Sequence, residues 1–294
     1  MKILKLSIIM ALAIIYRPVK AQEFKATIKK ELSFKSQSDE NFLIVNNVYG
    51  SISVEGYSGS TIKIEAYKTI EASNSRTLEL GKNEIGVKTA TIGNHIHVYL
   101  DSPFSMFNTK TGNFGHNEYN RGLHHNRRKY DYTINFKIKI PYHTNIELYA
   151  VNDGNVNVKN IYAKEISVSN INGAITLNNV SGQTYANALN KDINVSYKSI
   201  PTMVSTYKSL NGDINITVKE NLNANVSFKS LNGDFYTNFE TSKLSPQTTI
   251  VKANKRKGTK YKLNAKELIK IGKGGVELRF DVLNGDVTIK NNKS

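Results

Sequence analysis

Apolar and polar residues alternate with period two on both sides of a short phrase that recurs through the second half of the chain. Each copy has an apolar residue followed by Asn, and usually by Gly and Asp. The six copies lie at residues 151–154, 171–174, 189–192, 210–213, 231–234 and 283–286, so their Asn positions are 20, 18, 21, 21 and 52 residues apart. A period near twenty, with one interruption, is typical of repeat proteins whose units stack on their neighbours.

The alternation predicts strands that bury one face, as after the phrase at Ile193 and Val195 or at Ile214 and Ile216. Asn-Gly tolerates positive φ and favours a tight corner between two strands. An antiparallel meander is the alternative, but its turns should recur about every 8–12 residues. We therefore predict an all-β, single-domain β-solenoid, a β-helix-like stack of short strands with Asn-Gly corners in which stacked Asn side chains can hydrogen bond.

The repeat assigns a structural turn role to the residues at its corners. They are Asn152, Asn172, Gly173, Asn190, Asn211, Gly212, Asp213, Asn232, Gly233, Asp234, Asn284, Gly285 and Asp286. A row of Asp carboxylates could bind a cation or a sugar, since hard cations prefer oxygen ligands. We favour a structural role, in which each Asp completes its turn by accepting a backbone N–H.

The first half is rich in strand patterns but less regular, and its clearest alternation is Ile134, Phe136, Ile138 and Ile140, ended by Pro141. No convincing helical period is found after residue 21. Two segments, at about residues 104–130 and 241–275, interrupt the strand pattern and are expected to be loop insertions. Long loops of this kind tend to be functional or disordered.

Residues 1–21 predict a secretory signal peptide, which leaves residues 22–294 as one β-strand-repeat domain. Lys2 and Lys5 precede an apolar run over residues 6–16, and Val19 and Ala21 supply the small residues of a cleavage site. The run is too short to cross a bilayer comfortably. We expect export to the periplasm, the outer surface or the medium, with no transmembrane segment in the mature chain.

Composition narrows the possible chemistry. The chain has 294 residues, a formal net charge of +16 and no Cys, which excludes disulfides, Cys-ligated zinc and a thiol nucleophile. The signal carries four Lys or Arg and no acid, so the mature charge is +12. No P-loop, dinucleotide fingerprint or Ser-His-Asp order is present. We expect no metal and no cofactor.

Basic and imidazole side chains of the first insertion are the candidate binding residues. They are Arg121, His124, His125, Arg127 and Arg128. Outside the inner membrane such a group can meet acidic glycans, lipid phosphates or DNA. Together with His95 and His97, the loop residues His116, His124 and His125 could ligate Zn or Cu. For His95 and His97, a solvated strand face opposite Ile96 and Val98 is the simpler interpretation.

A β-helix can also host glycan-cleaving enzymes, which need two carboxylates at a defined separation. Glu147 and Asp153 are acids without any clustered partners in the sequence. With no catalytic group assigned, we predict that the protein is not an enzyme.

These patterns resemble a bacterial putative-adhesin family of β-strand-repeat proteins of unknown function, abundant in Bacteroidetes. The resemblance is carried by residues 45–57, 132–141 and 271–275 and by the Asn-Gly-Asp repeats, the last at 283–286. It implies an all-β, solenoid-like fold and an envelope or secreted location, but no activity. The chain departs from the family pattern at Lys191, where Gly is usual, and at Ala174, where Asp is usual.

The functional hypothesis is an exported, non-enzymatic structural or adhesion-type protein that presents a rigid β-repeat surface. The partner is unknown; an acidic glycan, a cell surface or an envelope protein fits the charge, and no nucleic acid is expected. Two alternatives stay open: a polysaccharide lyase or hydrolase built on a β-helix, and an accessory protein of envelope signalling.

Overall fold

A computed structural model describes residues 21–116, 129–219, 221–244, 248–251, 260–263 and 267–291. Almost the whole predicted signal therefore lies outside the described residues. The described chain forms one helix, α1 (Ser75–Glu84), and the following strands: β1 (Gln22–Leu32), β2 (Phe42–Asn46), β3 (Ile52–Tyr57), β4 (Ile62–Ala72), β5 (Gly86–Ile92), β6 (His95–Asp101), β7 (Ser105–Phe107), β8 (Phe114–His116), β9 (Tyr130–Pro141), β10 (Asn145–Ala150), β11 (Val156–Lys159), β12 (Tyr162–Asn170), β13 (Ile175–Ala188), β14 (Ile193–Tyr197), β15 (Ser205–Asn211), β16 (Ile214–Val218), β17 (Ala224–Asn232), β18 (Phe235–Thr237), β19 (Thr241–Leu244), β20 (Thr248–Val251), β21 (Lys260–Leu263), β22 (Glu267–Ile271), β23 (Val276–Asn284) and β24 (Val287–Asn291).

Most of these strands form two sheets that share β13. The first sheet has the order β1-β4-β9-β3-β11-β13-β14-β16-β24-β18, and every pair from β9 onward is parallel. The second sheet has the order β5-β6-β2-β10-β12-β13-β15-β23-β17-β22-β19, with parallel pairs from β6 to β17. A rung of the stack is thus one strand of the second sheet, a corner, and one strand of the first sheet.

The inward faces of both sheets pack into one continuous hydrophobic core. Strand β9 shows the pattern clearly, since Ile134, Phe136, Ile138 and Ile140 are buried while Lys137 and Lys139 are exposed. The predicted strand alternation and the solenoid fold class are therefore confirmed. Each rung buries too little apolar surface by itself, so stacking provides the stability.

The corner Asn side chains form a ladder of hydrogen bonds along the stack. In each bond the Nδ2 of one Asn donates to the Oδ1 of the Asn in the next rung. The distances are 2.6 Å from Asn172 to Asn152, 2.7 Å from Asn190 to Asn172, 3.2 Å from Asn211 to Asn190, 2.9 Å from Asn284 to Asn211 and 2.8 Å from Asn232 to Asn284. An exposed amide ladder of this kind holds neighbouring rungs in register.

The corner glycines are required by close packing more than by positive φ. A Cβ on Gly173 would lie 1.9 Å from the carbonyl oxygen of Gly154, and one on Gly233 would lie 1.9 Å from that of Gly285. Among the six corners, positive φ occurs only at Asp153 (59°) and Gly285 (147°). The expectation that the corners depend on positive φ is wrong for the other four. At three of them, Gly173, Gly212 and Gly233, the backbone of the next rung leaves no space for a side chain, whereas the fourth carries Lys191.

The order of the rungs in space differs from their order in sequence. The C-terminal rung, β23 and β24, lies between β15/β16 on one side and β17/β18 on the other. The rung of β17 and β18 is therefore the end rung of the stack. The 52-residue gap in the repeat also contains the antiparallel strands β19 and β22, which extend the second sheet beyond β17. The rungs therefore do not follow sequence order at this point of the stack.

Helix α1 is a second departure from the prediction, which contained no helix. Asn74 caps it by accepting a hydrogen bond from the backbone N–H of Thr77 through Oδ1 at 3.0 Å. Lys68 Nζ donates to the carbonyl oxygens of Lys82 at 2.9 Å and Ile85 at 2.8 Å. The cation thus satisfies carbonyl groups at the C-terminus of the helix, where positive charge is favourable.

Replacing Gly173 by Ala should destabilise the stack, since the new Cβ meets backbone that moves only if the rungs separate. We expect a loss of about 2 kcal/mol or more, and a thermal midpoint lower by several degrees. Gly115→Ala is the matched control, because nothing lies within 4 Å of the added Cβ. Equal thermal midpoints for the two variants would contradict the close-packing account.

Candidate functional site

One candidate site lies on the outer face of the second sheet, where a hairpin covers β6. The hairpin consists of β7 and β8, paired antiparallel from Ser105 to His116. Phe107 stacks on Tyr99 of β6 with ring centroids 4.0 Å apart and lies 5.2 Å from the ring of His97. The described start of the first insertion therefore folds over the sheet.

His97 is buried beneath this hairpin, with 4% of its surface exposed. Its Nδ1 has no hydrogen-bond partner among the described residues. Gly112 fits against the ring, since a Cβ there would lie 2.7 Å from Cε1. The expectation of a solvated strand face is wrong for His97 because the hairpin covers it, whereas His95 is exposed. Burial lowers the pKa of His97.

Beside His97 a cleft of about 560 Å³ opens between the hairpin and strands β2, β6 and β10, and we call it the hairpin cleft. Its walls include Asn46, Phe114, Glu147 and Tyr149. The Tyr149 hydroxyl donates to Glu147 Oε1, and burial together with this contact raises the pKa of Tyr149. No Lys or Arg lines the hairpin cleft in the described part of the chain.

A second candidate lies on the outer face of the first sheet, and we call it the lysine groove. It has a volume of about 710 Å³ and includes Lys63, Lys137, Lys139 and Lys159. Lys63 lies opposite Lys139 in neighbouring strands, and Glu55 lies between Lys139 and Lys159 in the same row. Strands are about 4.8 Å apart, so the groove brings several ammonium groups close together.

The lysine groove carries a net positive charge. Of its two carboxylates, Glu65 already accepts from Tyr67 at 2.7 Å and pairs with Lys29 at 3.1 Å. These contacts lower the pKa of Glu65. Two tyrosine rings flank the groove, because Lys63 Nζ lies 5.7 Å from the centroid of Tyr57 and Lys137 Nζ lies 5.9 Å from that of Tyr67.

The corner aspartates form a column parallel to the Asn ladder. Asp192, Asp213 and Asp286 each accept, through Oδ1 at 2.9 Å, the backbone N–H of the Asp in the next rung, which is Asp213, Asp286 and Asp234 in turn. One oxygen of each of these three carboxylates is therefore used within the stack. Across the described residues, no group of three or more His, Asp or Glu side chains is placed to hold a metal ion.

The apolar residue that opens each corner phrase forms a further column on the surface. Ile171, Leu189 and Leu283 are about two-fifths exposed, and Leu231 at the end rung is 70% exposed. This column continues toward the hairpin cleft, since Val151 both opens a corner phrase and lines that cleft.

The sequence-predicted binding residues Arg121, His124, His125, Arg127 and Arg128 lie outside the described residues. Of the two acids considered for catalysis, Glu147 lines the hairpin cleft, whereas Asp153 lies in the corner after β10. The sequence analysis missed Tyr149 and the role of His97. Their period-two spacing from Glu147 and His95 marks outward strand faces, but only the pairing of β6, β2 and β10 brings these faces together.

The buried His97 should make stability depend on pH. Its pKa in the folded protein lies below the ordinary 6.5, so the unfolded chain binds a proton that the folded protein does not. Stability is therefore complete above about pH 6.5 and falls as the pH drops through the window below it. We expect His97→Gln to flatten the decline of the thermal midpoint between pH 7 and 5. His95→Gln should keep the wild-type decline, and an identical slope in all three proteins would contradict the burial of His97.

None of the described helices is long and apolar enough to cross a membrane. No curated protein matches the chain in sequence. Among solved structures, a putative cell adhesion protein from Clostridium sporogenes is similar at 12% identity and a TM-score of 0.45, over 92% of this chain and 100% of that one. A putative adhesin from Bacteroides fragilis is similar at 12% identity and a TM-score of 0.37, over 90% and 97% of the two chains.

A putative lipid binding protein from Parabacteroides distasonis is similar at 9% identity and a TM-score of 0.26, over 92% of this chain and 97% of that one. The family comparison covers part of the stack. Residues 144–267, which begin one residue before β10 and reach the start of β22, match the family model Toastrack DUF4097. This match confirms the predicted family resemblance for residues 144–267, which are similar to the Toastrack DUF4097 family.

Proposed function

We propose that the protein is an exported, non-enzymatic, adhesion-type scaffold that holds an acidic glycan along the lysine groove. The observation that carries the proposal is the convergence of Lys63 from β4, Lys137 and Lys139 from β9, and Lys159 from β11 on one face of the first sheet. Export rests on the predicted signal at residues 1–21.

Rigid strands make the lysine groove suitable for a polymer. The backbone positions of the lysines are fixed on paired strands, so a polyanion can meet several ammonium groups without ordering a loop. Uronic acids and sulfated sugars combine negative charge with a ring, and Tyr57 and Tyr67 supply aromatic surface beside the lysines. The net charge of +12 on the mature chain adds a long-range attraction for polyanions.

The carboxylates of the groove do not favour glycoside hydrolysis. A general acid for that reaction needs a raised pKa so that it keeps its proton near neutral pH. Glu65 has the opposite property, since its contacts with Tyr67 and Lys29 lower its pKa. This argument supports a binding role over the alternative of a polysaccharide lyase or hydrolase.

The test is binding to heparin and to polygalacturonate at increasing salt. The triple variant Lys63→Gln, Lys137→Gln, Lys139→Gln should bind about tenfold more weakly, or about 1.4 kcal/mol, and elute at lower salt. The matched control is Lys191→Gln, Lys208→Gln, Lys243→Gln, which removes the same charge from exposed positions elsewhere. The control should stay close to the wild type.

Equal losses in both triple variants would show that only the overall charge matters and would overturn the groove assignment. Competition by double-stranded DNA as strong as that by heparin would contradict a glycan partner. A reducing-end assay on the same polysaccharides should show no turnover, and turnover would contradict the non-enzymatic role.

A further inference from the structure

We propose that the hairpin cleft binds an uncharged sugar residue, at a site separate from the lysine groove and with different chemistry. The cleft lies on the outer face of the second sheet, and the groove lies on the outer face of the first. The inference concerns residues that the proposed function does not use, so each can fail without the other.

The charge of the cleft is unusual for this chain. Glu147 is the only Asp, Glu, Lys or Arg among the described residues that line it, in a mature chain of net charge +12. A polyanion has no cation to pair with there. A small organic cation would find one carboxylate, but the field of the whole protein opposes its approach. An uncharged ligand is affected by neither problem.

The polar groups of the cleft suit hydroxyl groups, which both donate and accept hydrogen bonds. Glu147 offers a carboxylate and Asn46 offers an amide at the wall. His97 adds an imidazole, and its buried Nδ1 lacks a partner among the described residues. This nitrogen is closed to solvent, so the hydrogen bonds to a ligand are assigned to Glu147, Asn46 and Tyr149 at the wall.

The apolar groups of the cleft suit the C–H faces of a sugar ring. Tyr149 is 38% exposed on one wall, and Phe114 and Val151 are among the apolar residues that line the cleft. The hydrogen bond from the Tyr149 hydroxyl to Glu147 fixes both side chains before any ligand arrives. Aromatic rings combined with a few fixed polar groups, in a cleft of about 560 Å³, match the usual composition of small-ligand sites.

The test is a panel of uncharged glycans, comprising mannan, laminarin and chitin oligosaccharides, titrated calorimetrically against the full mature chain. We expect at least one of these glycans to bind. Its affinity should change little between about 0.1 and 0.5 M NaCl, because the ligand is uncharged. Tyr149→Ala and Glu147→Gln should each weaken this binding by about tenfold or more. Both residues lie on the outer face of β10, so neither substitution should unfold the protein. The thermal midpoint of each variant checks this.

Two controls separate the cleft from other surfaces. Tyr236→Ala removes an exposed tyrosine at the other end of the stack and should leave glycan affinity unchanged. The triple lysine variant of the groove should also bind the uncharged glycan normally while losing heparin. Absence of binding by every uncharged glycan, or binding that survives both cleft variants, would overturn the proposal. Binding of benzylamine but of no sugar would overturn it in favour of an organic cation.

Discussion

The close contact between backbones at the corners is the constraint on which the rest of the structure depends. At Gly173 and Gly233 the next rung approaches so closely that no side chain fits between them. This approach sets the inter-strand spacing at which Asn side chains reach one another along the ladder. The two sheets stack their rungs at this spacing, and their outer faces hold the lysine groove and the hairpin cleft.

The same constraint explains why the C-terminal rung can enter the middle of the stack. Each corner offers the same donors and acceptors on both sides, so Asn284 accepts from Asn232 and donates to Asn211. The strands β17 and β18 therefore pair with the stack only through β23 and β24, which lie at the C-terminal end of the described chain. Such long-range pairing is slow to form but leaves the chain terminus bound in the stack.

Much of the fold could be predicted from the sequence, because a repeated corner phrase reports stacking directly. The order of the rungs could not, since identical corners give no sequence signal for which neighbour each one meets. Helix α1 escaped prediction because Gly81 is its one buried residue, so no apolar stripe marks it. The hairpin cleft could not be predicted because His97 and Glu147 lie on strands β6 and β10, which are far apart in sequence. Strand β2 pairs with both and brings them to neighbouring positions.

The central claim is that rungs stack in register with the C-terminal rung between its two neighbours. A chain without Cys allows a direct measurement, in which pairs of Cys are introduced at the exposed, registered positions Lys208, Asp281 and Lys229 and oxidised. The account predicts disulfides for Lys208→Cys with Asp281→Cys and for Asp281→Cys with Lys229→Cys. Lys208→Cys with Lys229→Cys should not form one, since two rungs separate their Cα atoms by about 9.6 Å, beyond the reach of about 7 Å. A disulfide in this last pair, together with none to position 281, would contradict the account.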